Sequence, residues 1–590
     1  QFQPQKNEKS NFLTEQVRHQ DFIETIVRPV PYKREDVNRI QVNDLPEICQ
    51  KVFLFKEFNE IQSTVFKRAF TSDENLLICA PTGAGKTNIA LLTMMREIHK
   101  NMVSSKVDMS NIQNFKNIKW DFKIVYLAPL KALANEIVDK FKTSLKDLNI
   151  KVSEFSADVS LTKDQIEETQ IFIAIPEKWD LFTRKNESIF STLKLMVIDE
   201  VHLLNEDRGR ILECLVARTF RKIEVSQTFT RIVGLSATLP NYNDVASFLN
   251  VNHSSGLFFF DHTYRATPLK MKFLGLIDKR NDRDNKETEN STAFEEIVEY
   301  LDKGKQVLVF VHSRNETLSF AKDFILRCQH YERSDLLYSK KKIYSKFINK
   351  SLYELVPYGV GFHNAGLQRK DRNTVESLFA NKALNVLVST STLAWGVNLP
   401  AYAVIIKGTE YYDSSQGKIC DLGILDIQQM FGRAGRPQFD NQGVAVIISP
   451  QKKAETYLSL LKDQTEIESK LLKFIDDAIN AEIAIGNILN SKDAVEWIRL
   501  TYLSVRLQSN PHSYISLFKN DPKGLSHYEK LKLIAEESFT RLNDYRLIRF
   551  NKSTEGVHST ELGRIACKYY LSSKSVFKYY ENLKEYTLEE

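Results

Sequence analysis

Asn75-Leu76-Leu77-Ile78-Cys79-Ala80-Pro81-Thr82-Gly83-Ala84-Gly85-Lys86-Thr87 leads from an apolar run through a glycine-bearing turn into Asn88 to Ile98, a segment of helical period. A buried strand, a flexible loop and a helix start in that order make a phosphate-binding loop. Its glycines let the backbone curl so that N–H groups point inward, and the helix N-terminus adds partial positive charge. Gly83 and Gly85 are therefore expected to cradle a nucleotide. Lys86 is expected to reach the β- and γ-phosphates of ATP, and Thr87 to offer its hydroxyl to Mg²⁺.

The runs on either side have the same build. Phe122 to Leu127, Ile171 to Ile175, Leu193 to Ile198 and Arg231 to Leu235 are short and rich in β-branched residues, with helix-period segments between them. That is the pattern of parallel strands buried on both faces. A second set, Gln306 to Val311, Asn385 to Val388, Val404 to Ile406 and Val444 to Ile448, begins after the polar stretch Asp278 to Thr292. Met102 to Ile118 and the lysine-rich Ser339 to Lys350 read as surface insertions. After Pro450 helices take over, at Ala454 to Leu461, Glu466 to Asn490 and Lys492 to Leu507. Leu547 to Phe550, a polar turn and Val557 to Ser559 then form a small wing before a helix capped by Thr560. The expected fold is α/β, two parallel-sheet domains followed by a winged-helix domain. The expected boundaries are 1–45 for an N-terminal extension, 46–265 and 266–460 for the two parallel-sheet domains, and 461–590 for the winged-helix region and the start of a following helical domain.

Length and composition agree. The 590 residues divide into about four domains at roughly 150 residues each. With 42% hydrophobic and 26% charged residues, the chain lies far from the disordered corner. A net charge of +6 permits a polyanionic partner without demanding one. No apolar run approaches the ~18 to 20 residues that cross a bilayer, and Gln1 to Lys9 has no apolar segment of a secretion signal, so a soluble protein of a reducing compartment, without membrane contact, is expected. The six cysteines are far apart and predict no zinc or redox site. A start at Gln and an end in the charged run Lys584 to Glu590 suggest a piece of something longer.

Three further groups bear on phosphate chemistry. Leu195 to Ile198 ends in Asp199-Glu200-Val201-His202, two carboxylates at the carboxyl end of a strand, where doubly wound sheets bind ligands. Asp199 is the candidate Mg²⁺ ligand and Glu200 the group that orients and deprotonates the attacking water. A solvated acidic strand end is the plain alternative. Gln62 carries the donor and acceptor needed to pair with adenine, although it also suits an ordinary helix. Far downstream, Gln429-Met430-Phe431-Gly432-Arg433-Ala434-Gly435-Arg436 offers two arginines that would stabilise transition-state charge if the domains close on ATP, or that form an RNA-binding or structural pair.

Read in order, these pieces resemble a Ski2-like superfamily-2 helicase, which implies that the two parallel-sheet domains are RecA-like, 46–265 the ATP-binding one and 266–460 the helicase C-terminal one. The resemblance also rests on Ala128-Pro129-Leu130-Lys131-Ala132-Leu133, Pro176-Glu177-Lys178-Trp179-Asp180, Ser236-Ala237-Thr238, His312-Ser313-Arg314, His363-Asn364-Ala365-Gly366 and Thr390 to Pro400. It implies that His202, Ser236, Thr238 and Gln429 couple hydrolysis to unwinding. Gly396 and Asn398 would sense the nucleotide, and Lys131, Pro176, Arg314, Thr390 and Thr392 would hold a sugar-phosphate backbone. Such contacts position a strand without reading it. A hairpin at Thr409 to Leu422 would be a strand-separating wedge, or simply a surface hairpin.

Pro31 to Glu35, Gly256 to Asp261 and Asp421 to Asp426 further resemble the family of the helicase subunit of the activating signal cointegrator complex, in its amino-terminal cassette. The spliceosomal U4/U6-unwinding helicases are the alternative. The Ski2-like group implies 3′ to 5′ movement on single strands, with single-stranded RNA or DNA and duplexes as substrates; the first of these closer resemblances implies a multi-subunit complex, stalled or collided ribosomes, alkylation repair, and residence in cytoplasm and nucleus, and the second U4/U6 unwinding. Ile175, Ser156-Ala157-Asp158 and Ala266 depart from the family pattern. The rival functions are a catalytically silent ATP-binding scaffold and a P-loop enzyme unrelated to nucleic acid.

Overall fold

The computed structural model of the chain describes residues 12–29, 38–104, 120–155, 162–265, 267–279, 281–337, 347–391, 393, 399–413, 417–436, 439–463, 466–517 and 524–582. They divide into two compact units. One draws on Val37–Ala80, Gly85–Phe260 and Glu466–Glu590, the other on Gln1–Asp36, Pro81–Ala84 and Asp261–Thr465.

The unit that holds Lys86 is built on a seven-stranded sheet. Its strands lie in the order Val152–Phe155, Ile171–Ala174, Lys123–Leu127, Leu193–Ile198, Arg231–Ser236, Leu76–Cys79, Leu257–Phe259, all parallel to their neighbours. Successive residues of Leu76–Cys79 are all fully buried, so both faces of the sheet are covered. The strands that the apolar pattern picks out are the central ones. Val152–Phe155 escapes that pattern because it lies at an edge and only Val152 is fully buried. Leu257–Phe259, at the opposite edge, is three residues long and half-buried throughout.

In the same unit the winged-helix region packs on the helix Gly209–Ser226. Cys214 and Ala217 of that helix share one core with Leu471, Ile475, Trp497, Phe539 and Val557. The expected single helix over Lys492 to Leu507 is two, Ser491–Arg499 and Tyr502–Ser509. Thr501 causes the break: its side chain accepts from the Ser504 N–H and caps the second helix. The wing is the antiparallel pair Ile548–Asn551 and Gly556–Ser559, followed by the helix Glu561–Tyr569 with Thr560 as its cap.

The other unit carries an eight-stranded sheet, Phe12–Arg18, Phe22–Pro29, Leu269–Leu276, Gly443–Pro450, Ala403–Lys407, Val307–Val311, Val386–Thr390, Val360–His363. The last six are parallel; the first two, from the N-terminal extension, run antiparallel and lengthen the sheet. Lys272, inside Leu269–Leu276, hides this strand from an apolar-run reading. Its buried ammonium is paired with Glu296 at 2.6 Å and with Glu24 of the added strand at 3.1 Å. The polar stretch ahead of this domain's central strands is helical, as part of Asp282–Asp302. Most of the two expected insertions lies outside the described residues, as do Ser156, Ala157, Asp158 and Ala266.

Candidate active site

Parallel order sets the site. Leu193–Ile198, Arg231–Ser236 and Leu76–Cys79 are adjacent, so Asp199-Glu200, Ser236-Ala237-Thr238 and the loop ahead of Lys86 emerge side by side from one edge. The loop bends through Gly83 at φ +80° and Gly85 at φ +87°, conformations open to glycine. A Cβ on Gly85 would run into Gln62 Nε2, so the close approach also demands glycine. Lys86 opens the helix Lys86–Ser104, and its buried ammonium donates to the Ala80 carbonyl at 2.8 Å. Thr87 follows it on the first turn of the same helix.

Gln62 does lie against this loop. Its Oε1 accepts from the Asn59 N–H at 3.0 Å and its Nε2 donates to the Gly85 carbonyl at 3.1 Å. The amide thus braces the loop through Gly85 and the helix start through Asn59, and pairing with adenine falls to its second N–H and second lone pair.

Asp199 Oδ1 accepts from the Glu200 N–H at 3.0 Å, and Oδ2 from the Tyr126 hydroxyl at 2.6 Å. Burial, reinforced by the neighbouring Glu200 charge, pushes the Asp199 carboxyl up to about 7. Glu200 sits at φ 52°, in the left-handed region, a strained choice for a non-glycine residue and one often met at functional sites. His202 is 1% exposed; its Nδ1 accepts from the Ala237 N–H at 3.1 Å and lies 3.4 Å from Ser236 Oγ and 3.3 Å from Glu200 Oε2. Burial, aided by the Lys86 charge, lowers its pKa to about 3, so the ring is neutral. Ser236 is itself buried and Thr238 half-buried. Tyr126 is a residue that pattern reading missed: it is a fully buried phenol flanked by Val125 and Leu127, and a hydroxyl at such a position needs a polar partner.

The candidate backbone contacts in this unit open helices. Lys131 begins Lys131–Ser144 and Pro176 begins Pro176–Lys185, just beyond the adjacent parallel strands Lys123–Leu127 and Ile171–Ala174. Their helix N-termini therefore share one edge, a geometry suited to phosphates.

The other unit repeats the arrangement. Arg314 begins the helix Arg314–His330 after Val307–Val311, and Thr390 ends the neighbouring strand Val386–Thr390. A Cβ on Gly366 would touch Arg314 Cδ at 3.5 Å, so the His363 to Gly366 segment lies beside it. Gln429 is buried on the helix Ile424–Gly432, and Arg433 caps that helix. Arg436 donates from Nε to Asp440 at 2.8 Å and from an η nitrogen to Gln306 Oε1 at 2.8 Å, both within its own domain. Arg265, given no role by sequence reasoning, donates to the carbonyls of Phe431 at 2.9 Å and Ala434 at 2.7 Å and fixes the arginine-bearing loop. Thr392, Gly396 and Asn398 lie outside the described residues.

Three family models match the chain in the order the fold presents them. They are DEAD/DEAH box helicase over residues 59–245, Helicase conserved C-terminal domain over 292–438, and Winged Helix-turn-helix domain over 468–545. The chain belongs to the DExH-box helicases. This helicase is 45% identical over 564 residues, 93% of its length, to activating signal cointegrator 1 complex subunit 3 of Homo sapiens, and covers 25% of that protein. It is 43% identical over 552 residues to the RQC trigger complex helicase SLH1 of Saccharomyces cerevisiae, covering 91% of this chain and 28% of that one. A third relative is the DExH-box ATP-dependent RNA helicase DExH14 of Arabidopsis thaliana, 42% identical over 93% of this chain and 25% of that one. The helicase thus spans about a quarter of the length of these curated relatives. Among solved structures, the DUF1998 helicase MrfA bound to DNA matches with a TM-score of 0.58 at 15% identity, over 96% of this chain and 64% of that one, a likeness of fold alone. Among the described residues no helix is long and apolar enough to cross a membrane, and no group of three or more His, Cys, Asp or Glu is placed to hold a metal ion.

Proposed function

We propose that this helicase hydrolyses ATP with Mg²⁺ and uses the energy to move 3′ to 5′ along a single strand of RNA or DNA and open duplexes. The observation that carries the reading is the convergence of the Lys86 loop, Asp199-Glu200 and Ser236-Ala237-Thr238 at the ends of three adjacent parallel strands. Thr87 and Asp199 supply hard oxygen ligands of the kind Mg²⁺ takes. The ion, when bound, neutralises charge on the phosphates and lowers the barrier to displacement at the γ-phosphoryl group. Lys86 leaves the Ala80 carbonyl for the β- and γ-phosphates. Glu200 orients the attacking water and takes its proton, while Arg433 and Arg436 answer the charge that grows in the transition state. His202, through the Ala237 N–H, passes the state of the acidic segment to the Ser236 strand. Lys131, Pro176, Arg314, Thr390 and Thr392 hold the strand by its backbone, which makes binding salt-dependent and little concerned with sequence. The exposed hairpin of Glu410–Asp413 and Lys418–Asp421 splits the duplex.

The relatives' names, a complex subunit and a helicase of the RQC trigger complex, support work within a multi-subunit complex. With the family resemblance, they extend the proposal to stalled or collided ribosomes and alkylation repair, in cytoplasm and nucleus. The test is ATPase activity with and without single-stranded RNA and DNA, with Lys86→Ala as control, followed by unwinding of a duplex with a 3′ overhang. Stimulation by strands in the native chain, and background turnover in the variant, is expected. Equal turnover with and without strands would overturn the nucleic-acid reading. ATP binding without turnover would mark a scaffold instead.

A further inference from the structure

The hairpin formed by Glu410–Asp413 and Lys418–Asp421 exposes its apolar side chains: Tyr412 and Ile419 face each other across the strands, each 66% exposed. Two strands without a covering layer are marginally stable in water. What holds the root therefore decides whether the far end is stiff.

The root begins at Gly408, at φ +78°, where a Cβ would lie 2.7 Å from Glu289 Oε1. The Gly408 N–H donates to the Ile448 carbonyl at 2.9 Å, and the Gly408 carbonyl accepts from His312 Nε2 at 2.7 Å. The Leu422 N–H closes the base on the Thr409 carbonyl at 2.8 Å, and the Leu422 carbonyl accepts from the Tyr457 hydroxyl at 2.8 Å. The first register pair above this base is Glu410 opposite Asp421, two carboxylates face to face, an arrangement that by itself pushes strands apart. Lys453, on the helix Gln451–Asp463, donates its ammonium to both of them. One cation from a neighbouring helix thus turns a repulsive pair into a bridge.

We propose that Lys453 is a positioning residue for duplex opening, the clamp that makes the hairpin a rigid extension of the second helicase domain. The proposal rests on the helicase reading above. An isolated exposed ion pair contributes little, but this one removes a like-charge opposition at the point where bending of the hairpin begins. The hairpin consequently transmits force only while Lys453 bridges Glu410 and Asp421.

The test uses the full chain, Lys453→Glu, and the charge-swapped triple variant Lys453→Glu, Glu410→Lys, Asp421→Lys. Amide hydrogen exchange reads the clamp independently of activity. Exchange over residues 410–413 and 418–421 is expected to quicken about tenfold or more in Lys453→Glu, with no change elsewhere, and to return to about the native rate in the triple variant. Unwinding of a 3′-overhang duplex should fall about fivefold or more and recover in the triple, while ATPase activity stimulated by single strands stays within about twofold throughout. Native-like exchange or native-like unwinding in Lys453→Glu overturns the proposal, as does a triple variant that recovers neither. A native chain with strand-stimulated ATPase that opens no duplex overturns the helicase reading, and exchange alone then decides whether the clamp exists.

Discussion

His202 Nδ1 accepts the Ala237 N–H at 3.1 Å and lies 3.4 Å from Ser236 Oγ, which joins the segment carrying Asp199 and Glu200 to the segment carrying Ser236 and Thr238. The ring is 1% exposed and neutral, so the bond persists across the physiological range. His202→Ala removes it and leaves a buried backbone N–H without a partner, a loss of about 1–3 kcal/mol of stability. Unwinding should fall by an order of magnitude more than strand-stimulated ATPase, because the bond links the two segments and touches neither phosphate nor water. Paired measurements of ATP turnover and duplex opening check this. Since the histidine pKa lies at about 3, no limb of the ATPase profile between pH 5 and 8 should vanish in the variant.

Glu213 supplies a pH effect remote from the nucleotide. It is fully buried on the helix Gly209–Ser226, accepts from Ser469 Oγ at 2.6 Å and from the Leu503 N–H at 2.8 Å, and burial pushes its carboxyl up to about 8. Between its ordinary value of 4.5 and about 8 the folded state holds a proton that the unfolded chain has released. Stability from this group is thus complete below the lower value and is lost as pH rises through the window, by up to about 1.4 kcal/mol per pH unit. Glu213→Gln keeps an acceptor for the Leu503 N–H and removes the titration, and the Ser469 hydroxyl turns to accept from the new amide. Denaturant melts of native and variant chains from pH 5 to 8 should converge at low pH and separate with rising pH, the variant being the more stable at pH 8.

The central strands and the Lys86 loop were legible because buried parallel strands are apolar without interruption and the loop is defined by residues adjacent in sequence. Tyr126, Arg265 and Lys453 were not, since each acts on a partner far away in the chain: Asp199, the Phe431 and Ala434 carbonyls, and Glu410 with Asp421. Lys272 misled in the same way. A lysine inside a strand argues against burial until Glu24 and Glu296 are seen to neutralise it. Arg436 was legible as part of a motif, but nothing in that motif announces its pairing with Asp440.

The winged-helix region is fastened to the first helicase domain by a buried cation. Arg218, 1% exposed, donates to Asp180 at 2.7 Å and to Glu482 at 2.6 Å, and Asp180 also accepts from Arg184 at 2.6 Å and from the Tyr570 hydroxyl at 2.9 Å. Arg218→Met strands the Glu482 carboxylate in the core and should cost about 3–5 kcal/mol. The double replacement Arg218→Met, Glu482→Gln neutralises the stranded carboxylate, leaves Asp180 to Arg184 and should recover most of that loss. Chemical denaturation of the three proteins decides it, and equal stability of the single and double variants would show that packing, not charge, holds this seam.

Gly85 gives the sharpest steric prediction. It stands at φ +87° with Gln62 Nε2 where an added methyl group would have to go, so Gly85→Ala meets backbone strain and a clash at once. Gln62→Ala removes the clash but not the strain, and it also frees the Gly85 carbonyl. Nucleotide affinity, read by titration with a fluorescent ATP analogue, should therefore fall by about tenfold or more in Gly85→Ala and recover only in part when Gln62→Ala is added. Full recovery would mean that the side-chain contact alone demands glycine; no recovery would mean that the left-handed backbone does. Partial recovery is expected because the loop needs both the turn and the close approach to present its N–H groups to phosphate.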